Sequence, residues 1–511
     1  MINNWELANF MQSSASPDDC PHICESLPEH GHENLDSLLS PYSHGSFQDR
    51  YLGLFFPFLD LINWASGIRG VHFFNWARTF GCCPELFFAP KTEDEVIQII
   101  NLAREEKKKI RVVGHGHSPS DIACTTDFMI SLQHMNKVLE VNEETWMIKV
   151  QAGVTVRDLN EKHLPKYGLA IPILGSVSDV TLGGAVNTGT HGTGDNYGTM
   201  STYVVELELL TSSGQKVRCS REENKEIFLA AACGLGAMGV IITITYQCEP
   251  AFQLEQRRFP STLKEVIEHL NLHIKSSEHF RFVWFPHIDG VVLWHSNRTK
   301  KPITKVTKLQ QCVSWFWNYS IGYYALEFFY WLSTFFPSLV PTINNVFYNL
   351  LFTQNKEFVN ESYKLFNHEC LFKEHVNEWA IPRDQTGSVL WKLQEWLDKT
   401  PDVYAHFPVE VRFVKEDDLY ISPSYGQETC YINIIMYRPY NKDVPHERYW
   451  AAYEEVMRSA GGRPHWAKAH SVTATELRQM YPHFDTWCQV RQRIDPIDMF
   501  RNSYLDRILD H

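Results

Sequence analysis

The sequence predicts an α+β protein of two domains, and three observations carry that prediction. The chain has 511 residues, enough for two hydrophobic cores. Hydrophobic residues make up 44% and charged residues 21%, the composition of a folded chain. Strand-like alternation and helix-like spacing then follow one another from about residue 71 to residue 250, and again over residues 251–511. Residues 1–70 stand apart. They are rich in Ser, Pro, His and acidic side chains, hold no sustained periodicity, and read as an extension that is poorly ordered in part.

In the first domain, Thr92 and Glu95 have capping-box spacing, and Val96, Ile99, Ile100 and Ala103 fall on one helical face behind them. The helix runs into Lys107–Lys109, and Ile110–Val113 reads as a buried strand that Gly114 breaks. Trp146, Ile148 and Val150 alternate with Met147 and Lys149 as in a half-buried strand, and a short helix is expected over residues 156–167. The segment Leu174–Gly194, LGSVSDVTLGGAVNTGTHGTG, has no helical stripe. Val205, Leu207 and Leu209 pass through Ser212-Ser213-Gly214 to Val217 and Cys219, a hairpin signature. A helix near Glu226 and a strand near Val240 complete the domain.

Charge and cysteine usage remove several classes of function. The net charge is −13, and Lys107-Lys108-Lys109 is too short for a nucleic-acid stripe, so no nucleic-acid partner is expected. Cys20 and Cys24 flank His22, with His30 and His32 nearby. This imitates a zinc cluster, but the polar segment around them favours the plainer reading of chance composition, and no metal is expected. The N-terminus lacks a basic region followed by an apolar run, so no cleavable signal peptide is expected.

Two glycine-rich segments carry the chemistry. Gly114-His115-Gly116-His117-Ser118-Pro119-Ser120 exposes backbone N–H groups of the kind that cradle a pyrophosphate. It is not the dinucleotide fingerprint, which needs Gly-x-Gly-x-x-Gly opening a helix. In Leu174–Gly194, glycines and hydroxyls let the backbone lie against a large ligand while Ser and Thr satisfy its polar edges. In the second domain, Val409-Glu410-Val411-Arg412-Phe413 alternates as a strand. Glu410 and Arg412 thus share a face about 6.5–7 Å apart, able to bracket a hydroxylated ring or to form a solvated ion pair.

These segments, with FFNWARTFGCCPE near Phe74, HGHSPSDIACT, PVEVRF, NIIMYRPY, GGRPHWAKAH and DPIDMFRNSYL, resemble the aldonolactone oxidases among the vanillyl-alcohol-oxidase-type flavoproteins. The resemblance implies such an FAD-binding domain followed by a mixed α/β substrate (cap) domain. It implies FAD attached covalently through His117, with Gly114, His115, Gly116, Ser118, Gly175, Ser176, Thr181, Gly183, Gly184, Thr188, Gly189, Gly192, Val240 and Lys468 around the cofactor. Gly175 matches a position over the flavin where a small residue lets oxygen approach. Ser176, Glu410 and Arg412 match substrate contacts, and Glu410, Arg412, His465 and Lys468 the catalytic set. Lys468 would stabilise reduced flavin, and His465 or Glu410 would take the hydroxyl proton. The implied reaction oxidises an aldono-1,4-lactone, L-gulono-1,4-lactone favoured, to ascorbate, with oxygen reduced to hydrogen peroxide. The alternatives are a lactone dehydrogenase using a cytochrome or quinone, and an inactive flavin-binding scaffold.

From Phe328 to Asn355 no charge occurs, and the wider apolar stretch at about 313–352 is dense in aromatics. The flavin segments precede it and Glu410 and Lys468 follow it, so a single membrane crossing would split the site. A re-entrant hairpin, an interfacial anchor or a buried helix pair remain, and the family resemblance implies the endoplasmic reticulum membrane.

Overall fold

The computed structural model describes residues 67–368 and 372–509. The N-terminal extension before residue 67, with Cys20, His22 and Cys24, lies outside the described residues.

The first part is built from two small sheets. Leu86–Phe88 (β1), Ile110–Val113 (β2) and Phe128–Ser131 (β3) form a parallel sheet in the order β1-β3-β2. The crossover from β1 to β2 is the helix Glu93–Glu105 (α1). Thr92 Oγ1 accepts from Glu95 N at 3.2 Å, the Glu95 carboxylate accepts from Thr92 N, and the four expected apolar residues are all buried. Val138–Asn142 (β4), Met147–Gln151 (β5), Val204–Leu210 (β6), Lys216–Ser220 (β7) and Val240–Gln247 (β8) form an antiparallel sheet in the order β7-β6-β8-β5-β4. The hairpin expected at Ser212–Gly214 is the β6–β7 turn.

One expectation is corrected. Inside the glycine-rich segment, Leu182–Asn187 forms a helix (α2) despite lacking an apolar stripe. Thr181 Oγ1 accepts from Gly184 N at 3.2 Å and starts the helix, so the cap compensates for two poor helix formers at Gly183 and Gly184.

The second part is one eight-stranded antiparallel sheet: Gln253–Ser261 (β9), His279–Phe285 (β10), Gly290–Thr299 (β11), Lys356–Glu361 (β12), Glu374–Pro382 (β13), Val409–Val414 (β14), Thr429–Tyr437 (β15) and Arg463–Pro464 (β16). The order is β12-β9-β11-β10-β14-β15-β13-β16. The two parts are stitched where the glycine-rich segment meets β14: Gly194 N donates to Phe413 O at 2.7 Å, and Phe413 N donates to Thr193 Oγ1 at 3.1 Å. That seam brings residues more than 200 positions apart to one cleft.

The apolar stretch is a helical excursion, Lys308–Trp315 (α3), a π-helical Phe316–Ala325, Leu326–Ser333 (α4) and Val340–Leu351 (α5). Among the described residues no helix is long and apolar enough to cross a membrane. One face, with Tyr330, Ile343 and Phe347, packs on Phe285, Phe407 and Tyr437 of the sheet region. The other leaves Trp315, Phe316, Trp317, Phe328, Phe329, Phe335 and Phe336 exposed, the last two by more than half.

Candidate active site

The cleft between the two parts is lined on one side by the Gly114–Ser118 loop, Gly175, Ser176, Thr181, Gly183, Gly184 and Thr188. On the other side lie Glu410, Arg412, His465 and Lys468. Its empty volume, open solvent at the mouth included, is about 1500 Å³.

The first wall is made of backbone. A Cβ on Gly114 would collide with the Thr181 hydroxyl, and one on Gly175 would come within 2.8 Å of Thr190 Cγ2. Behind the wall, the buried Arg111 guanidinium donates to the carbonyls of Ile122, Leu235 and Phe500 at 2.6–3.0 Å, fixing the strand from which the Gly114 loop departs. His117 stacks against Trp76, with ring centroids 6.2 Å apart. Burial pushes its pKa down to about 4, so the ring is neutral. Its Nε2 is buried without a hydrogen-bond partner among the described residues. A buried imidazole nitrogen with nothing to bind, on the wall of a cleft, is what a ligand-bearing position looks like before its ligand is added. With the glycine cradle, it suits a large planar cofactor.

Gly189, Gly192 and Val240 are not among the lining residues. Gly189 packs near Cys233 and Pro423, Gly192 against Ile173 and Leu174, and it is Gly239 and Ile241 that reach the cleft beside Val240.

The second wall is made of charge. On β14, Arg412 Nη2 donates to Glu410 Oε1 at 2.7 Å, and the same nitrogen donates to the Ser176 hydroxyl across the cleft. The Ser176 expected at the substrate is therefore held by the Arg412 expected beside it. Arg281 of β10 donates from Nη1 to Glu410 Oε1 at 3.1 Å, and to His368 Nδ1 at 3.0 Å. Burial would raise the Glu410 pKa, but Arg412, His368 and Arg281 together hold it down to about 2. Glu410 is thus a fixed carboxylate, suited to accept a hydrogen bond and poorly suited to take a proton.

His465 also differs from its expected role as a base. Its Nδ1 accepts from Ala467 N at 3.1 Å, so the neutral ring carries its proton on Nε2 and acts as a donor. Burial drives its pKa to about 3, which keeps it neutral.

Sequence reasoning missed four groups: Arg281, His368, His191 and Glu378. Glu378, on β13, is buried. Its Oε1 lies 3.1 Å from His191 Nε2 and its Oε2 3.5 Å from Lys468 Nζ. Burial opposes its charge, yet Lys468 and His191 hold its pKa well below the usual carboxylate range. The ligand atoms of His191, Glu378 and His465 lie within 4.8 Å of one another, close enough for a metal ion, but the Lys468 ammonium already supplies the cation there. A second such grouping, His375, Asp443 and His446, does not line the cleft. The missed carboxylate had a signal: in the β13 sequence EHVNEWAIP, Glu378 directly precedes the apolar run Trp379-Ala380-Ile381, where a charge needs a partner.

Comparison with known proteins fits this geometry. Residues 84–220 match the FAD binding domain, and residues 244–508, more than half the chain, match the D-arabinono-1,4-lactone oxidase model. The chain belongs to the D-arabinono-1,4-lactone oxidase family. It is therefore an FAD-dependent oxidoreductase, as the sequence motifs implied. Within the family it is 51% identical to an L-gulonolactone oxidase of Scyliorhinus torazame over 86% of this chain and 99% of that one. It is 50% identical to that of Bos taurus at the same coverage. An L-gulono-1,4-lactone dehydrogenase of Mycobacterium tuberculosis is 32% identical over 85% and 98% of the two chains. Among solved structures, a cholesterol oxidase from B. sterolicum superposes with a TM-score of 0.72 at 17% identity, covering 86% of this chain and 96% of that one. That likeness carries the fold alone, the two-part vanillyl-alcohol-oxidase type anticipated from the sequence.

Proposed function

We propose that this family member oxidises an aldono-1,4-lactone, with L-gulono-1,4-lactone favoured, to the 2-keto lactone that enolises to ascorbate, oxygen leaving as hydrogen peroxide. The observation that carries this reading is the Ser176–Arg412–Glu410 bridge spanning the cleft that His117 and Lys468 also line, in a chain about half identical to two L-gulonolactone oxidases. Bound FAD supplies a two-electron acceptor. The orphaned Nε2 of His117 supports covalent attachment through that ring.

The residues divide the remaining work. Arg412 offers guanidinium protons to lactone oxygens, and the ionised Glu410 accepts from a substrate hydroxyl. His465 donates from Nε2, and Lys468 places a positive charge where electron density accumulates.

The decisive test is aerobic turnover with L-gulono-1,4-lactone while peroxide is measured. Equal moles of ascorbate and peroxide are expected. Ascorbate with a dye or cytochrome acceptor but no peroxide would replace the oxidase with a dehydrogenase, and no product from any aldonolactone would defeat the reading. Yellow colour remaining with acid-precipitated protein is expected, and its loss to the supernatant would remove the covalent link.

We propose further that the exposed aromatic face of α3 to α5 lies in a membrane interface, that of the endoplasmic reticulum. It supplies a one-sided apolar surface without a crossing helix. Phe335→Ser with Phe336→Ser removes two half-exposed rings, each worth about 1.5–3 kcal/mol when buried. Flotation with liposomes is expected to fall sharply while detergent-solubilised turnover holds. Unchanged flotation would show that another surface makes the contact.

A further inference from the structure

His191 lies within the glycine-rich segment but is buried, and its two nitrogens are both engaged. Nδ1 is 2.9 Å from Gly192 O, and a carbonyl only accepts, so Nδ1 carries a proton. Nε2 is 3.1 Å from Glu378 Oε1. With Nδ1 protonated and a neutral ring, Nε2 would present a lone pair to a carboxylate oxygen, a repulsive contact in a buried place. A second proton has to lie between them.

Two further observations say where that proton sits. Lys468 Nζ lies 3.5 Å from the other oxygen of Glu378, which favours the carboxylate over the acid. The face of Tyr431 lies against the His191 ring, with centroids 3.5 Å apart and planes 19° from parallel, the placement that favours a cation over an aromatic face. The remaining group near the ring is His465, 5.4 Å away between centroids and neutral by its own hydrogen bonding.

We propose that His191 is a working imidazolium, held by Glu378 and shared electrostatically with Lys468, which makes this end of the cleft a cationic cluster with a net charge of +1. His191, Glu378 and Lys468 all line the cleft. This inference rests on the oxidation site proposed above. In the proposed oxidation bound FAD would accept the hydride and the hydroxyl proton would pass to solvent, and a fixed positive cluster lining the cleft would favour the negative charge that develops on the carbinol oxygen. Glu378 acts as a positioning residue: it keeps the proton on His191 and holds Lys468 at 3.5 Å from its second oxygen. The arrangement moves no electrons and needs no co-reactant.

The test separates this inference from the reaction. The holoenzyme with 15N-labelled histidine is compared with His191→Gln, whose missing signal identifies His191. The expected wild-type signal has both ring nitrogens protonated at neutral pH. In Glu378→Gln the amide can still donate to Nε2, so His191 is expected to become neutral with a bare Nε2. Lactone turnover in Glu378→Gln is expected to lose about 10²-fold in kcat with little change in KM. A neutral His191 in the wild type overturns the inference, and so does a His191 that keeps both ring protons in Glu378→Gln. Should Glu378→Gln fail to fold, the wild-type signal alone decides. A protonated His191 in a protein that oxidises no lactone would instead overturn the proposed reaction and leave the imidazolium standing.

Discussion

The two walls of the cleft recognise by opposite means. The Gly114–Thr188 wall works by shape: backbone comes close because side chains are missing, and its lining holds few charges. The opposite wall works by charge: two guanidinia and an imidazole converge on Glu410 of β14, and a lysine and a histidine on Glu378 of β13. A shape-defined wall suits a large ligand that is bound once and kept. A charge-defined wall suits a small polar molecule that must enter, react and leave. Changes to the first should therefore alter flavin content, and changes to the second should alter turnover with the flavin retained.

The largest expected effect is on the charged wall. Arg412→Ala leaves Glu410 with one cation fewer and frees Ser176, so kcat/KM should fall about 10²–10³-fold. Bound FAD per protein should stay at the wild-type level. Arg412→Lys keeps the charge but not the fork that reaches both Ser176 and Glu410, so it should recover only part of the loss. Loss of FAD in either variant would show that the walls do not divide the work.

On the shape-defined wall, Gly114→Ala forces a Cβ into the Thr181 hydroxyl. Overpacking of about 1–3 kcal/mol, drawn from cofactor binding, corresponds to roughly 5–150-fold weaker uptake of FAD before it is attached. FAD absorbance per protein should drop. Adding Thr181→Ala removes the obstructing hydroxyl and should restore it, at a cost of about 1 kcal/mol for the lost α2 cap. If the double variant stays empty, the close approach of loop and helix is not what holds the cofactor.

How far each wall could be read in advance follows from the same difference. Gly114–Ser118 and Leu174–Gly194 announce themselves because their signal is local: glycine and hydroxyl density in consecutive residues. The α1 capping box and Glu410 with Arg412 were legible for the same reason, at spacings of three and two. Arg281 and Glu378 were not, because each gains its meaning from a partner more than 80 residues away: Glu410 for one, His191 and Lys468 for the other. His191 stood in plain sight in THGTG, yet nothing local says that a buried carboxylate faces it. Helix α2 was missed because its start depends on a single hydroxyl, at Thr181, and not on an apolar stripe.

Acid should separate the two parts by stability. In the second part burial drives His279 and His295 to about 4, and His406 and His470 to about 3, from an ordinary value of 6.5. In the first part His117 is driven to about 4. The folded-state values are depressed, so below pH 6.5 the unfolded chain binds protons that the folded chain does not. The stabilisation is complete above pH 6.5 and is lost as pH falls towards 4, by up to about 3 kcal/mol per deeply buried ring. Hydrogen exchange between pH 6.5 and 4.5 should therefore lose protection in β14 and β15 before β6 and β8. Equal loss in both sheets would mean that the buried histidines do not set the acid limit.

The smallest effect is the sharpest probe of the shape-defined wall. Gly175→Ala places a methyl 2.8 Å from Thr190 Cγ2, the end of a side chain that can turn away at a cost of about 0.5–1.5 kcal/mol. The cofactor should stay, because nothing rigid is struck. Lactone oxidation with an artificial dye should hold for the same reason, since Arg412, Glu410 and Lys468 are untouched. If Gly175 leaves the opening through which oxygen reaches the cofactor, turnover with oxygen alone should fall, about tenfold for a barrier raised by 1.4 kcal/mol. Stopped-flow measurement of the two half-reactions distinguishes the outcomes. A parallel loss of dye and oxygen turnover would assign Gly175 to cofactor seating, and the choice between oxygen and another acceptor would then lie elsewhere on the wall.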